Sequence, residues 1–142
     1  MSFWDTSALF PVLLNEPRSQ NARRLWRQIA NKHVWRESVV EIESAFARLE
    51  RENLIGTGLR APFKKRLSKL ETDWIAVPVS DRQIELARTF PSLYGLKAMD
   101  SLQLAAALVW CEEYPKNKDF VSADIRLIKA AEVIGFTVHD LA

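Results

Sequence analysis

The chain has 142 residues, of which 48% are apolar, so it is long enough for one domain (residues 1–142) with a sizeable core. Its net charge of +2 does not by itself announce a nucleic-acid binder, although cations cluster at Arg23, Arg24, Arg27 and Lys32, and again at Lys64, Lys65, Arg66 and Lys69, as solvated helix faces or as phosphate contacts. One cysteine, Cys111, excludes an internal disulfide, and no apolar run approaches the ~20 residues of a membrane span.

The first strand is predicted almost at Met1, over Ser2 to Asp5, which leaves no room for a signal peptide and points to a reducing, cytoplasmic setting. Thr6 or Ser7 can cap a helix running towards Leu14. Asn15-Glu16-Pro17 ends it and starts a second helix, in which Ala22, Leu25, Trp26 and Ile29 follow the i, i+3, i+4, i+7 spacing. Lys32 to Arg36 is a brief strand. A long helix from about Ser38 to Glu52 carries Val39, Ile42, Ala45, Phe46 and Leu49 on one face. Gly56 and Gly58 mark a turn, and Leu59, Phe63, Leu67 and Leu70 form the next apolar stripe.

Ile75 to Val79 is a strand candidate, with Pro78 placing its end at a sheet edge. Ser80-Asp81-Arg82-Gln83 has the form of a capping box, continued by Ile84 and Ala87. Pro91 to Lys97 reads as a loop. Met99 to Glu113 is nearly all apolar and should be a buried helix. A loop at Pro115 to Lys118 precedes a strand over Asp119 to Ala123. Leu127, Ala131 and Ile134 face inwards on the last helix, which Gly135 terminates, and Phe136 to His139 makes a final short strand. Strands alternating with helices argue for an α/β fold with a mostly parallel sheet and helices on both faces. Function in such sheets lies beyond the carboxyl ends of the strands, near the switch in strand order.

Four acids take positions that such a fold would turn towards that edge: Asp5, Glu41 or Glu43, Asp100 and Asp124. Asp5 and Asp124 each follow a strand, and Asp100 opens the apolar helix. Each has a structural explanation as well. Asp5 and Asp124 are good helix N-caps, and Asp100 is a first-turn acid favoured by the helix dipole. A residue can cap a helix and also bind a cation, and gathered carboxylates call for a hard one. Glu41 and Glu43 lie about 200° apart around their helix, and periodicity does not choose between them. His33 and His139 have no ligand spacing and read as structural. The five tryptophans read as core or interface. No glycine-rich phosphate loop, nucleophile elbow or Cys-His pair is present.

The segments Asp5-Thr6-Ser7-Ala8-Leu9, Val40-Glu41-Ile42 with Ala45 and Arg48 after it, Met99-Asp100-Ser101-Leu102-Gln103-Leu104-Ala105-Ala106-Ala107, and Phe120-Val121-Ser122-Ala123-Asp124 together resemble the PIN-domain ribonucleases, and within them the VapC toxins of toxin–antitoxin modules. The resemblance spans essentially the whole chain. It implies a PIN-like three-layer α/β/α sandwich around a short, mostly parallel sheet of four to five strands. It implies that Asp5, Glu41, Asp100 and Asp124 form an acidic site for Mg²⁺ or Mn²⁺, with Glu41 favoured over Glu43 and used through a water or as a base. Ser7 and Ser122 match hydroxyls beside the acids. Gln103 stands where many members carry His, a departure expected to leave the metal site untouched. The implied activity is metal-dependent endoribonuclease cleavage of single-stranded or looped RNA. The implied partners are a cognate antitoxin and a second copy in a homodimer, with Leu25 and Trp26 offering part of a partner surface. A catalytically idle PIN-like module binding RNA or protein is the alternative. A haloacid-dehalogenase-like phosphatase is disfavoured, because Ser7 stands where its second Asp would be. No lysine or acid pair of a receiver domain is evident.

Overall fold

The computed structural model describes residues 1–142. Five strands make one sheet: β1 (Ser2–Trp4), β2 (Lys32–Trp35), β3 (Trp74–Val77), β4 (Asp119–Ser122) and β5 (Thr137–Asp140). Their order is β3-β2-β1-β4-β5, and every pairing is parallel. The chain leaves β1 to build one side of the sheet, then crosses back to build the other. The switch in order therefore lies between β1 and β4, whose register pairs Trp4 with Val121.

Strands this short hold together because both faces are covered. Successive residues of a strand point to opposite faces. Phe3 and Phe120 accordingly enter one core, and Trp4, Val34 and Val121 the other. The Trp4 face receives α1 (Thr6–Leu13), α2 (Ser19–Gln28), α3 (Ser38–Arg51) and α4 (Arg60–Asp73). The Phe3 face receives α5 (Asp81–Ala87), α6 (Phe90–Tyr94), α7 (Ala98–Trp110) and α8 (Ile125–Ile134). On α7 the run Leu104-Ala105-Ala106-Ala107 is fully buried, and its small side chains let the helix settle closely onto Phe3 and Phe120. The sheet is wholly parallel with five strands, and the three-layer α/β/α arrangement is the one expected.

Several local expectations need correction. Asp5 is the N-cap of α1, rather than Thr6 or Ser7, because its carboxylate accepts from the Ala8 N–H. Pro17 lies before α2, which starts at Ser19. Residues Phe90–Tyr94 form α6 instead of a loop: Pro91 sits in its first turn, where no N–H is needed, and Gly95 ends it at φ +65°. The capping box closes in one direction only. Ser80 Oγ accepts from the Gln83 N–H at 3.1 Å, but the Gln83 side chain turns inwards and donates to the Leu102 carbonyl at 3.0 Å. Leu59 is exposed, in a short 3₁₀ turn (Thr57–Leu59), while Phe63, Leu67 and Leu70 carry the buried stripe of α4.

Pro78 does follow an edge strand, β3. Cys111 is buried, and that burial pushes its thiol up from the usual range. No helix is long and apolar enough to cross a membrane.

Candidate acidic site at the sheet switch point

β1 delivers Asp5 one residue past its end, and β4 delivers Asp124 two residues past its own. Asp100, in the first turn of α7, and Glu41, in the first turn of α3, come from opposite sides of the sheet. All four line one small cleft of about 230 Å³ with Thr6, Ser7 and Gln103. Glu43 lies on the other flank of α3, in a separate hollow with Lys64, Ser68 and Glu71. The ~200° between the two glutamates is thus resolved by packing, since Ile42 and Phe46 are buried and turn Glu41 towards α1.

Asp5 is the deepest acid, with 3% of its surface exposed. Ser7 Oγ lies 2.8 and 2.9 Å from its two oxygens, and the Ala8 N–H donates to it at 3.2 Å. Those bonds favour the ionised form, but loss of solvation outweighs them and raises the Asp5 carboxyl to about 7. Ser7 Oγ also accepts from the Ala123 N–H at 2.9 Å and lies 3.2 Å from Ser122 Oγ, which accepts from the Asp124 N–H at 3.1 Å. The two serines thereby tie the turn after β1 to the turn after β4. This fixes the separation of Asp5 and Asp124.

Asp124 caps α8, with Oδ1 accepting from the Arg126 and Leu127 N–H groups at 2.9 and 3.1 Å. Capping leaves its other oxygen free for the cleft. Asp100 accepts no hydrogen bond from the protein. Burial raises its carboxyl first, then the nearby charges of Asp124 and Glu41, against the opposing pull of Lys97 and Arg126. Glu41 is differently held, as Oε1 accepts from Thr6 Oγ1 at 3.0 Å and from Gln103 Nε2 at 2.7 Å. Gln103 is buried, and its Nε2 also lies 2.8 Å from Ser38 Oγ and 3.0 Å from Thr6 Oγ1. The expectation that Gln103 leaves the site untouched is therefore corrected: it bonds one of the four acids directly.

The predicted cation clusters are elsewhere. Arg23 and Arg66 donate to the carbonyls of Val12 and Leu13, and Lys32 sits over the Trp26 ring. The cations beside the acids are Lys97 and Arg126, in a hollow with Asp100 and Asp124, and Arg48, in a hollow with Glu41 and Met99. Their sequence signal was proximity: Lys97 is three residues before Asp100, and Arg126 two after Asp124. Both histidines lie away from the cleft. His33 Nδ1 is near the Ser2 carbonyl, and His139 Nε2 lies 3.3 Å from Asp119 Oδ1. Trp26 is buried edge-on against Trp4 and Trp74, so it offers no partner surface. The exposed apolar concavity lies between α1, α3 and α4, a groove of about 500 Å³ lined by Phe10, Leu14, Leu49, Ile55, Leu59 and Phe63.

The donor set of the cleft is oxygen alone, which suits a hard divalent cation and not zinc. No three of the chain's Asp, Glu, His and Cys side chains close on one point at ligand spacing. Mg²⁺ needs no such closure, because it keeps several waters and takes one or two carboxylates directly. A carboxyl held near neutral pKa, facing a second one raised by burial and then by its acidic neighbours, fits a site in which a cation would relieve the repulsion.

The PIN domain family model matches residues 3–133, and the chain belongs to that family. PIN domains are in general nucleases, hydrolases acting on nucleic acid. Among solved structures the chain is similar to a toxin–antitoxin complex from Klebsiella pneumoniae, at 13% identity and a TM-score of 0.60, over 87% of each chain; that likeness is one of fold. No curated protein matches it.

Proposed function

We propose that this PIN domain is a metal-dependent endoribonuclease, the VapC-like toxin of a toxin–antitoxin pair. The observation that carries the proposal is the buried Asp5, raised to about 7 in a cleft that three further acids share. Burying an acid this deeply is costly unless something positive meets it. Asp5, Asp100 and Asp124 would hold Mg²⁺ or Mn²⁺, with Glu41 completing the shell through a water. A bound divalent ion would supply positive charge to the phosphate and lower the pKa of a water for in-line attack.

The rest falls to the protein. Ser7 and Ser122 keep Asp5 and Asp124 at a fixed separation. Glu41 would orient the attacking water or accept its proton. Water adds to phosphorus, the bond to the leaving ribose oxygen breaks, and that oxygen leaves with a proton from solvent. Lys97, Arg126 and Arg48 flank the acids, and each can meet a phosphate beside the one being cut. The hollows they line are open, which suits a single strand or a loop better than a duplex.

The apolar groove between α1, α3 and α4 is where an antitoxin segment would dock. The fold likeness to a chain of a toxin–antitoxin complex supports such a partner. A homodimer and a cytoplasmic location belong to the same proposal.

The failure of three carboxylates to converge favours, as second reading, an idle module that binds RNA or protein. Cleavage of a defined single-stranded RNA separates the two. The nuclease reading expects cutting that needs Mg²⁺ or Mn²⁺, stops with EDTA and is absent from Asp100→Asn prepared identically. Equal cutting by both proteins would reject the site. An idle module would show neither cutting nor a carboxylate-dependent Mn²⁺ site.

A further inference from the structure

Gln103 is the one residue that crosses the cleft from α7 to both α1 and α3. Its Nε2 lies 2.7 Å from Glu41 Oε1, 2.8 Å from Ser38 Oγ and 3.0 Å from Thr6 Oγ1. A primary amide has two hydrogens for these three acceptors. The two shorter contacts take them, and Thr6 is free to donate its own hydroxyl to the same Glu41 oxygen at 3.0 Å. Both donors thus converge on Oε1, and Oε2 accepts nothing from the protein.

The other end of the Gln103 amide is fully buried and has no partner. The contact with Glu41 sets which way the amide points. Turning it over would set its oxygen against a carboxylate oxygen, acceptor against acceptor. The side chain thus forgoes a bond at its own oxygen while its nitrogen meets a residue of the acidic cleft. A buried group left partly unsatisfied calls for an explanation, and filling the core does not supply one, since an apolar side chain of the same length would bury no unpaired atom.

We infer that Gln103 is a positioning residue: with Thr6 it pins the inner oxygen of Glu41 and presents the outer one to the ligand that Asp5, Asp100 and Asp124 share. The inference rests on the reading of the cleft as a divalent-metal site and adds to it a specific device for holding the fourth acid. Glu41 comes from the first turn of α3, and a free glutamate there has three rotatable bonds. Pinning one oxygen removes most of that freedom before the ligand arrives. Partners of this kind typically change metal affinity or activity by about 10–100-fold when removed.

The experiment uses the full chain and Mn²⁺ alone as probe, by calorimetry, with RNA cleavage beside it. Gln103→Met keeps the length and removes both amide N–H donors of Gln103, leaving Thr6 in place. The expected result is Mn²⁺ binding weakened about tenfold and kcat reduced by about 10–100-fold, with KM for RNA within about twofold. Thr6→Val, which removes the second donor to the same oxygen, is expected to shift both in the same direction by less, and serves if Gln103→Met does not fold. In a Glu41→Gln background, Gln103→Met should then weaken Mn²⁺ binding by less than about twofold, because the partner it holds is already changed.

Wild-type Mn²⁺ affinity in folded Gln103→Met, or in Thr6→Val where only that variant folds, overturns the inference and leaves the metal reading standing. So does an undiminished loss in the Glu41→Gln background, which would mark a packing role. Absence of Mn²⁺ binding by the wild type overturns the metal reading and the inference together, and that is known before any variant is made.

Discussion

Phe10 stands between two concavities of opposite chemistry. On one side is the acidic cleft, with Asp5, Glu41, Asp100 and Asp124; on the other is the apolar groove, with Leu14, Leu49, Ile55, Leu59 and Phe63. Both are walled by α1 and α3. Glu41 and Leu49 lie eight residues apart on α3, yet they serve different hollows, because Glu41 is at the end that meets the sheet edge and Leu49 is near the far end. In the cleft, burial works against the groups present: Asp5 is raised to about 7 and Asp100 is raised as well. In the groove, burial is incomplete and would be welcome, since Leu59 is 40% exposed and the lining is mostly hydrocarbon. A charge-frustrated cleft calls for a cation, and an uncovered apolar groove calls for a partner chain. The two needs are physically independent, so they can be tested separately.

The largest effect should come from Asp5→Asn, which strikes the cleft and spares the groove. Its kcat/KM for RNA is expected to fall by at least about 10³, worth about 4 kcal/mol of transition-state stabilisation. Its stability at pH 8 should rise, as it no longer buries a carboxylate. Loss of both activity and stability would mean that Asp5 is chiefly a structural cap. Phe63→Ala strikes the groove floor instead. Phe63 is stacked on Phe46 with ring centroids 4.0 Å apart, and its loss should cost about 3–5 kcal/mol in urea unfolding. A cost below 1 kcal/mol would mean that the wall is loosely packed.

The pH dependence of stability sharpens the contrast. Asp5 titrates near 7 when folded and near 3.8 when unfolded, so between those values the folded chain holds the extra proton. Stability from this group is complete below about pH 4, declines as pH rises and is gone above about 7, a span of up to about 4 kcal/mol for one group. The midpoint of urea unfolding from pH 4 to 8 measures it. Asp5→Asn should flatten the decline, and saturating Mn²⁺ should flatten it in the wild type. A wild-type slope no steeper than that of Asp5→Asn would remove the electrostatic strain from the account.

Smaller effects mark the limits of each region. Leu59→Ser, on the exposed groove wall, should change stability by no more than about 0.5 kcal/mol, while weakening a cognate antitoxin measurably by calorimetry. Glu43→Gln should leave cleavage within twofold of wild type, whereas Glu41→Gln, two residues away, should not. Equal losses from the two would show that position relative to the cleft does not matter.

The residue pattern alone was enough to read the alternating elements, the buried character of α7 and the placing of Asp5 and Asp124 after β1 and β4. These are consequences of local chemistry: apolar periodicity, capping preference and the turn residues between elements act within a few positions of sequence. The site was legible to the same extent, as four acids near strand ends and helix starts. The choice of Glu41 over Glu43 was not in the periodicity, because both flank the same apolar stripe. It took the packing of Ile42 and Phe46 to turn one glutamate to the cleft and the other to Lys64. Gln103 was likewise invisible as a partner of Glu41, since 62 residues separate them and a lone glutamine in an apolar helix carries no spacing signal. The cations showed the reverse error: dense runs on α2 and α4 drew notice, while the isolated Lys97, Arg126 and Arg48 stand beside the acids. Sequence by itself determined which side chains have the chemistry. Only the tertiary structure decided which of them meet, because a contact between α7, α1 and α3 depends on how three helices pack around one sheet edge and not on any spacing along the chain.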